Sequence, residues 1–213
     1  MLEIKSFKFN PFEENTYLLI NEKKEAFIID PGAYFPDEQQ TLLDYLSSQQ
    51  IQPVRLLNTH CHLDHIFGNA LIFKHFGLQP EFHRQEQAIF AGAADAAARY
   101  NMPMEASPAP QGFIEVDSIL SLGTDHLSVL LAPGHSPGSI CFYAAEQQLL
   151  LGGDVLFRES IGRSDLPGGN ADDLVKSIRE TLYALPDETV VYPGHGPKTT
   201  IGHEKQHNPF VRP

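Results

Sequence analysis

The chain is short of several things, and each shortage narrows what it can be. It has 2 cysteines and no tryptophan, and no apolar run approaches the ~18 residues needed to span a bilayer. Two thiols, Cys61 and Cys141, are too few for a disulfide scaffold in 213 residues, so both read as reduced, packed side chains. The opening "MLEIKSFKFN" does not join a basic end to an apolar stretch of signal-peptide length, which points to a soluble, cytoplasmic protein. Positive charge is scarce as well: 15 Lys and Arg against 27 Asp and Glu give a net charge of −12, with no basic run. That removes the usual electrostatic footprint of a nucleic-acid binder, although bound metal ions would make one cleft locally positive. No linker or low-complexity tract divides the chain. Residues 1–213 are therefore expected to form one domain, monomeric or homodimeric, with 42% hydrophobic residues to build its core.

What is present is a repeated pattern of apolar segments that end in polar punctuation. "NTYLLINEKKEAFIIDPG" (15–32) reads as two strands around a polar turn, the second stopping at Asp30, Pro31 and Gly32. A helix is predicted over 36–50, where Pro36 opens the segment, acids fill its first turn, and Leu42, Leu43 and Leu46 recur at helical intervals. A short strand over 54–59 follows, then helix-like spacing from Ile66 to Lys74, a short strand in "GLQPEF", an alanine-rich helix over 84–100, and a proline-rich loop over 102–110. The second half repeats the logic. "SICFYAAEQQLLLGGD" (139–154) is another hairpin ending in an aspartate, and a helix follows over 170–185. The pattern predicts two layered sheets flanked by helices.

Between the strand at 54–59 and the helix after it, "NTHCHLDHIFGN" (58–69) packs three histidines and an aspartate into six positions. If "THCH" continues the strand, His60 and His62 point to one side and Cys61 to the other, which makes Cys61 a poor co-ligand. Asp64 and His65 then sit at the turn into the helix and can aim at a different point. Further donors follow apolar runs: His135 in "LLAPGHSPGS", Asp154 in "LLLGGD" and His195 in "VVYPGHGP". Rigid strands ending in turns that expose one polar side chain are how a scaffold holds a site. Together His60, His62, Asp64, His65, His135, Asp154 and His195 make seven nitrogen and oxygen donors. That number suits two metals with three private ligands each and one shared carboxylate, and a purely structural zinc site would more often be rich in thiolates.

The motifs "IIDPG", "THCHLDH", "PGHSPGS", "GGD" and "YPGHG", in that order, resemble the metallo-β-lactamase superfamily across essentially the whole length. The resemblance implies an α/β (α+β) fold, a four-layer αββα sandwich. It also implies that His60, His62 and His135 hold one metal, that Asp64, His65 and His195 hold the other, and that Asp154 bridges. Asp30 would orient a ligand histidine. The implied cofactors are two divalent ions, zinc first, with iron and manganese also suited to such donors. The implied chemistry is hydrolysis by water activated between the ions, with Asp64 and Asp154 as the catalytic residues and no Ser or Cys nucleophile.

Within the superfamily, "YPGHGPKTTIGHEKQHNPF" (192–210) is similar to glyoxalase II, the hydroxyacylglutathione hydrolases, which implies a small-molecule thioester such as S-lactoylglutathione as substrate. Two departures stand out. The sequence ends at Pro213 without the helical C-terminal domain of the longer glyoxalase II enzymes, and Arg163 and Asp165 fall where those have a lysine and a tyrosine. "GRSDLPGG" is instead similar to short, single-domain bacterial glyoxalase II-like hydrolases. Arg163 either binds a substrate carboxylate or pairs with Asp165. The main rival reading is a mononuclear iron persulfide dioxygenase of the same fold, using positions matching His60, His135 and Asp154; "PGHGP" differs from that family's sequence there. A nuclease of this fold, a metal-binding module without activity and a β-lactamase fit less well. His75, His83 and His126 are read as surface or packing residues, and His203 and His207 stay outside the ligand set.

Overall fold

The computed structural model describes residues 2–213. Its first sheet runs in spatial order β1 (Glu3–Phe9), β2 (Glu14–Ile20), β3 (Glu25–Ile29), β4 (Gln52–Leu57), β5 (Pro80–Phe82), β6 (Gly112–Phe113). The second is built from β7 (Ile119–Leu122), β8 (Asp125–Leu131), β9 (Ile140–Ala144) and β10 (Leu149–Gly153), then, beyond a small hairpin of β11 (Leu156–Phe157) and β12 (Ser160–Ile161), from β13 (Val190–Pro193) and β14 (Thr199–Thr200). Its spatial order is β14-β13-β10-β9-β8-β7.

Period-two alternation decides which side chains go between the sheets and which go outward. Tyr17, Leu19, Phe27 and Ile29 of the first sheet meet Leu127, Val129, Phe142, Leu149 and Leu151 of the second in one buried cluster. Their chain neighbours Leu18, Ile20, Ala26 and Ile28 face the other way, onto Leu42 and Leu46 of helix α1 (Pro36–Ser48). On the far side Cys141, Leu150 and Val191 pack against Leu174, Ile178, Leu182 and Ile201. Those come from α5 (Ala171–Lys176), the π-helical turns Ser177–Leu182 that continue it, and α6 (Ile201–His207). The central strands are thus buried on both faces, and each fully buried aliphatic side chain contributes about 2 kcal/mol relative to exposure. This is the expected αββα arrangement, and both cysteines are free and buried within it. Among the described residues no helix is long and apolar enough to cross a membrane.

Both predicted hairpins form. The helix expected from Ile66 to Lys74 is divided into α2 (Leu63–Ile66) and α3 (Asn69–Phe76), with Gly68 between them. The helix expected at 84–100 starts as a 3-10 turn, Arg84–Glu86, before α4 (Gln87–Arg99). The proline-rich 102–110 segment has no regular structure, and Met102 and Met104 pack against Leu63, Phe67 and Ala97.

One expectation needs correction. The strand does not carry on through "THCH": β4 stops at Leu57. Asp30 ends it by capturing Thr59, whose backbone N–H (2.7 Å) and hydroxyl (2.6 Å) both donate to its carboxylate. The Thr59 carbonyl then accepts from Ile140 N–H of the second sheet at 2.9 Å, so a hydrogen bond ties the two sheets together at that point.

Candidate metal centre

In each sheet, the C-terminal ends of two parallel neighbouring strands open onto the same place. In the first sheet β3 pairs with β4, leading to Asp30 and the 58–65 segment; in the second β10 pairs with β13, leading to Asp154 and His195. The sheets approach closely here. A Cβ on Gly194 would collide with Asp154 Oδ1 and His65 Cε1, so the first glycine of "PGHG" makes room for the site. The start of β2 ties the two ends together: Asn15 Nδ2 donates to the carbonyls of Pro193 (3.0 Å) and Gly196 (2.9 Å), on either side of His195.

All seven predicted donors converge. Donor atoms of His60, His62 and His135 lie within 4.8 Å of one another, as do those of Asp64, His65 and His195. In the first group His62 Nδ1 is 2.8 Å from His135 Nε2, which is 3.2 Å from His60 Nε2. In the second, His195 Nε2 lies 3.2 Å and His65 Nε2 3.7 Å from Asp64 Oδ2. Asp154 stands between the groups, its oxygens 3.5 Å from His65 Nε2, His135 Nε2 and His195 Nε2. Cys61 belongs to neither group, and burial, with Glu86 nearby, pushes its thiol up.

Asp30, His60 and His65 also lie close enough to form a group. The Asp30 carboxylate, however, already accepts both Thr59 donors and faces His65 Nδ1 at 3.2 Å. It orients His65 and leaves His65 Nε2 turned toward Asp64 and Asp154. Other imidazoles are held in the same way: His135 Nδ1 lies 2.7 Å from the Arg163 carbonyl and His195 Nδ1 2.9 Å from the Phe12 carbonyl. An N–H given to such an acceptor leaves the opposite ring nitrogen with its lone pair free for a cation.

Electrostatics separates the two groups. Burial, then the neighbouring histidines His65, His135, His62 and His195, hold His60 well below the ordinary imidazole range, and burial with His135 holds His62 down to about 3. At His65 burial also opposes the charge, but Asp154 and Asp64 outweigh it and raise the ring well above its ordinary value. Burial opposes ionisation of Asp64 and Asp154 too. His65 leads the interactions that overcome it, and both carboxyls are lowered. His60 and His62 in the first group are thus held toward the neutral form, and the carboxylates Asp64 and Asp154 toward the ionised one.

This arrangement fits divalent ions. Within the buried site, His65 Nε2 and Asp154 Oδ1 have no hydrogen-bond partner among the described residues. Imidazole nitrogens about 2.0–2.1 Å from a tetrahedral ion would lie roughly 3.4 Å apart, close to the 3.2 Å between His60 and His135. A cation between them would turn facing lone pairs into ligands.

The comparisons with known proteins agree. The profile of the Metallo-beta-lactamase superfamily matches residues 9–195. The chain belongs to that superfamily. The probable metallo-hydrolase YqgX of Bacillus subtilis is 36% identical over 203 residues, covering 94% of this chain and 93% of the relative. The hydroxyacylglutathione hydrolase GloC of Haemophilus influenzae is 34% identical over 212 residues, covering 99% and 98%. The crystal structure of TTHA1623 in a di-iron-bound form superposes with a TM-score of 0.88 at 36% identity, covering 97% of this chain and 100% of that one. This superfamily member is a metallo-hydrolase whose His and Asp groups suit divalent metals.

Two buried carboxylates at the site escape sequence reasoning. Glu86 accepts from Cys61 N–H (2.8 Å), the Ser136 hydroxyl (2.5 Å) and Gly138 N–H (2.7 Å), tying the loop that carries His60 and His62 to the loop that carries His135. Glu14 lies beneath the Asp30–Gly32 turn and accepts from the Thr16 hydroxyl at 2.9 Å, and its Oε1 has no partner among the described residues. Burial pushes its carboxyl well up. Nothing in the local sequence marks either one, apart from a polar start, "EENT", to an otherwise apolar strand. Arg163 sits at the edge of the cleft with its guanidinium on Asp165, at 2.7 and 2.8 Å. His203 pairs with Glu159 at 3.0 Å and packs at a tilt against His207, and neither histidine lines the cleft. His126 stays near the surface beside Ser121.

Proposed function

We propose that this metallo-hydrolase is a glyoxalase II-like thioesterase, with S-lactoylglutathione, hydrolysed to glutathione and lactate, as its model substrate. The observation that carries the proposal is the pair of donor groups joined through Asp154: His60, His62 and His135 on one side, Asp64, His65 and His195 on the other. The likeness to GloC over nearly the whole of both chains supports the thioester as the bond attacked. Two divalent ions held by these residues would polarise a carbonyl and lower the pKa of a bound water toward neutrality.

The chain's own residues account for the rest. Asp64, kept ionised by His65 and His195, accepts the proton released as water attacks the thioester carbon. The electron pair of the carbon–sulfur bond leaves with the thiol, which departs as a thiolate more readily than an amine would, so no strong general acid is required. Asp154 holds the two groups in one register. Leu63, Ile89, Phe157 and Ile161 give the cleft apolar walls that limit competing water around the reacting ester.

The test is a parallel assay of purified, metal-quantified protein on S-lactoylglutathione, on other thioesters, and on glutathione persulfide with oxygen uptake followed. Thioester hydrolysis without oxygen uptake is expected. Oxygen consumption with the persulfide, and no hydrolysis, would replace this reading with an iron dioxygenase using His60, His135 and Asp154.

A further inference from the structure

The site opens into a cleft of about 870 Å³, and α4 forms one long wall of it. Ala88, Gly92 and Ala96 follow one another at single-turn intervals along that wall, so no bulky side chain fills the space beside the histidines. At the outer end the same face changes from small to charged. Asp95 and Arg99, four residues apart and therefore neighbours on the helix surface, both line the cleft and are both exposed. Neither side chain makes a hydrogen bond or ion pair, with the other or with any described residue. Arg163, the other cation lining the cleft, is already held by Asp165 through two contacts. Phe12 and Tyr100 close this end, their rings meeting edge-on at 5.9 Å.

We infer that Asp95 and Arg99 form a subsite for the zwitterionic, amino-acid-like end of the thiol carrier. Arg99 would take the α-carboxylate and Asp95 the α-ammonium, so they are specificity residues for the thioesterase reading on which this inference rests. Charge pattern favours this ligand over simpler ones. A carboxylate alone would meet Arg99 but be repelled by Asp95 and by a chain of net charge −12; an amine alone would be repelled by Arg99. A group carrying both charges satisfies both side chains, and the Phe12–Tyr100 pair offers an apolar surface for the carrier's uncharged atoms.

The experiment compares kcat/KM for S-lactoylglutathione with that for S-lactoyl-N-acetylcysteamine, whose carrier is uncharged, in the wild type, Arg99→Gln and Asp95→Asn. Each substitution is expected to lower the preference for the glutathione thioester roughly tenfold, through KM rather than kcat. A preference ratio unchanged in both variants overturns the subsite while leaving the thioesterase reading intact. If the wild type hydrolyses neither thioester, that reading fails, and calorimetry with S-methylglutathione decides the subsite alone. Binding weakened roughly tenfold by Arg99→Gln supports it, and binding that is absent or unaltered overturns it.

Discussion

Asp30 and Asp154 occupy matching places in the two sheets, each just past a hairpin whose second strand runs parallel to the strand leading into site histidines. They differ in what is left over. Asp30 spends its oxygens on the Thr59 amide, the Thr59 hydroxyl and His65 Nδ1. Asp154 lies among three imidazoles and keeps Oδ1 without a hydrogen-bond partner among the described residues. The same topological position thus yields a supporting carboxylate where hydrogen bonds saturate it and a ligand where they do not. Glu86 and Glu14 extend the contrast. Glu86 is saturated by three donors, whereas Glu14 keeps Oε1 without a hydrogen-bond partner among the described residues, and burial raises its carboxyl against the lowering pull of His65.

Substitutions can break this comparison. The largest effect is expected at Asp154. Asp154→Ala should lower kcat/KM for thioester hydrolysis by more than the about 10–100-fold typical of a group that only orients a ligand. Steady-state kinetics checks this, and an active Asp154→Ala enzyme would remove the distinction. Asp30→Asn should fall inside that about 10–100-fold range, seen as weaker metal affinity in a chelator competition and recovered in part at high metal concentration. Glu86→Ala leaves three buried donors unpaired and should cost about 3 kcal/mol or more in denaturant unfolding, since each unpaired group costs about 1–3 kcal/mol.

The smallest effect, at Glu14, has a pH signature. A carboxyl whose pKa is raised by folding binds its proton more tightly in the native state, so stability falls as pH rises above the ordinary value of about 4.3. In metal-free protein, Glu14→Gln should therefore be more stable than the wild type near pH 7, with the difference closing below about pH 4. Thermal unfolding across that range measures it. A variant less stable at every pH would mean that Glu14 is ionised in the fold.

The contrast also marks what the sequence made readable. The ends of both hairpins were legible because an apolar run stops at Asp-Pro-Gly or Gly-Gly-Asp; His135, Asp154 and His195 were legible because they sit in Pro/Gly breaks after apolar runs, and His60, His62, Asp64 and His65 because they crowd into six positions. The supporting contacts were not, because they join residues remote in the chain. Glu86 reaches Gly138 across 52 positions and Asn15 reaches Gly196 across 181, and no local period encodes either pairing. The misread strand through "THCH" has the same cause: Asp30, 29 positions from Thr59, bends it. Arg163 forms the ion pair with Asp165 that was weighed for it.

The central claim is that two donor groups meet through Asp154, and counting metal tests it most directly. Divalent ions bound per chain should be measured after dialysis, in the wild type and in Asp154→Ala. The account predicts two per chain in the wild type and the loss of at least one in the variant; one ion in the wild type, or two retained at unaltered affinity without Asp154, would contradict it.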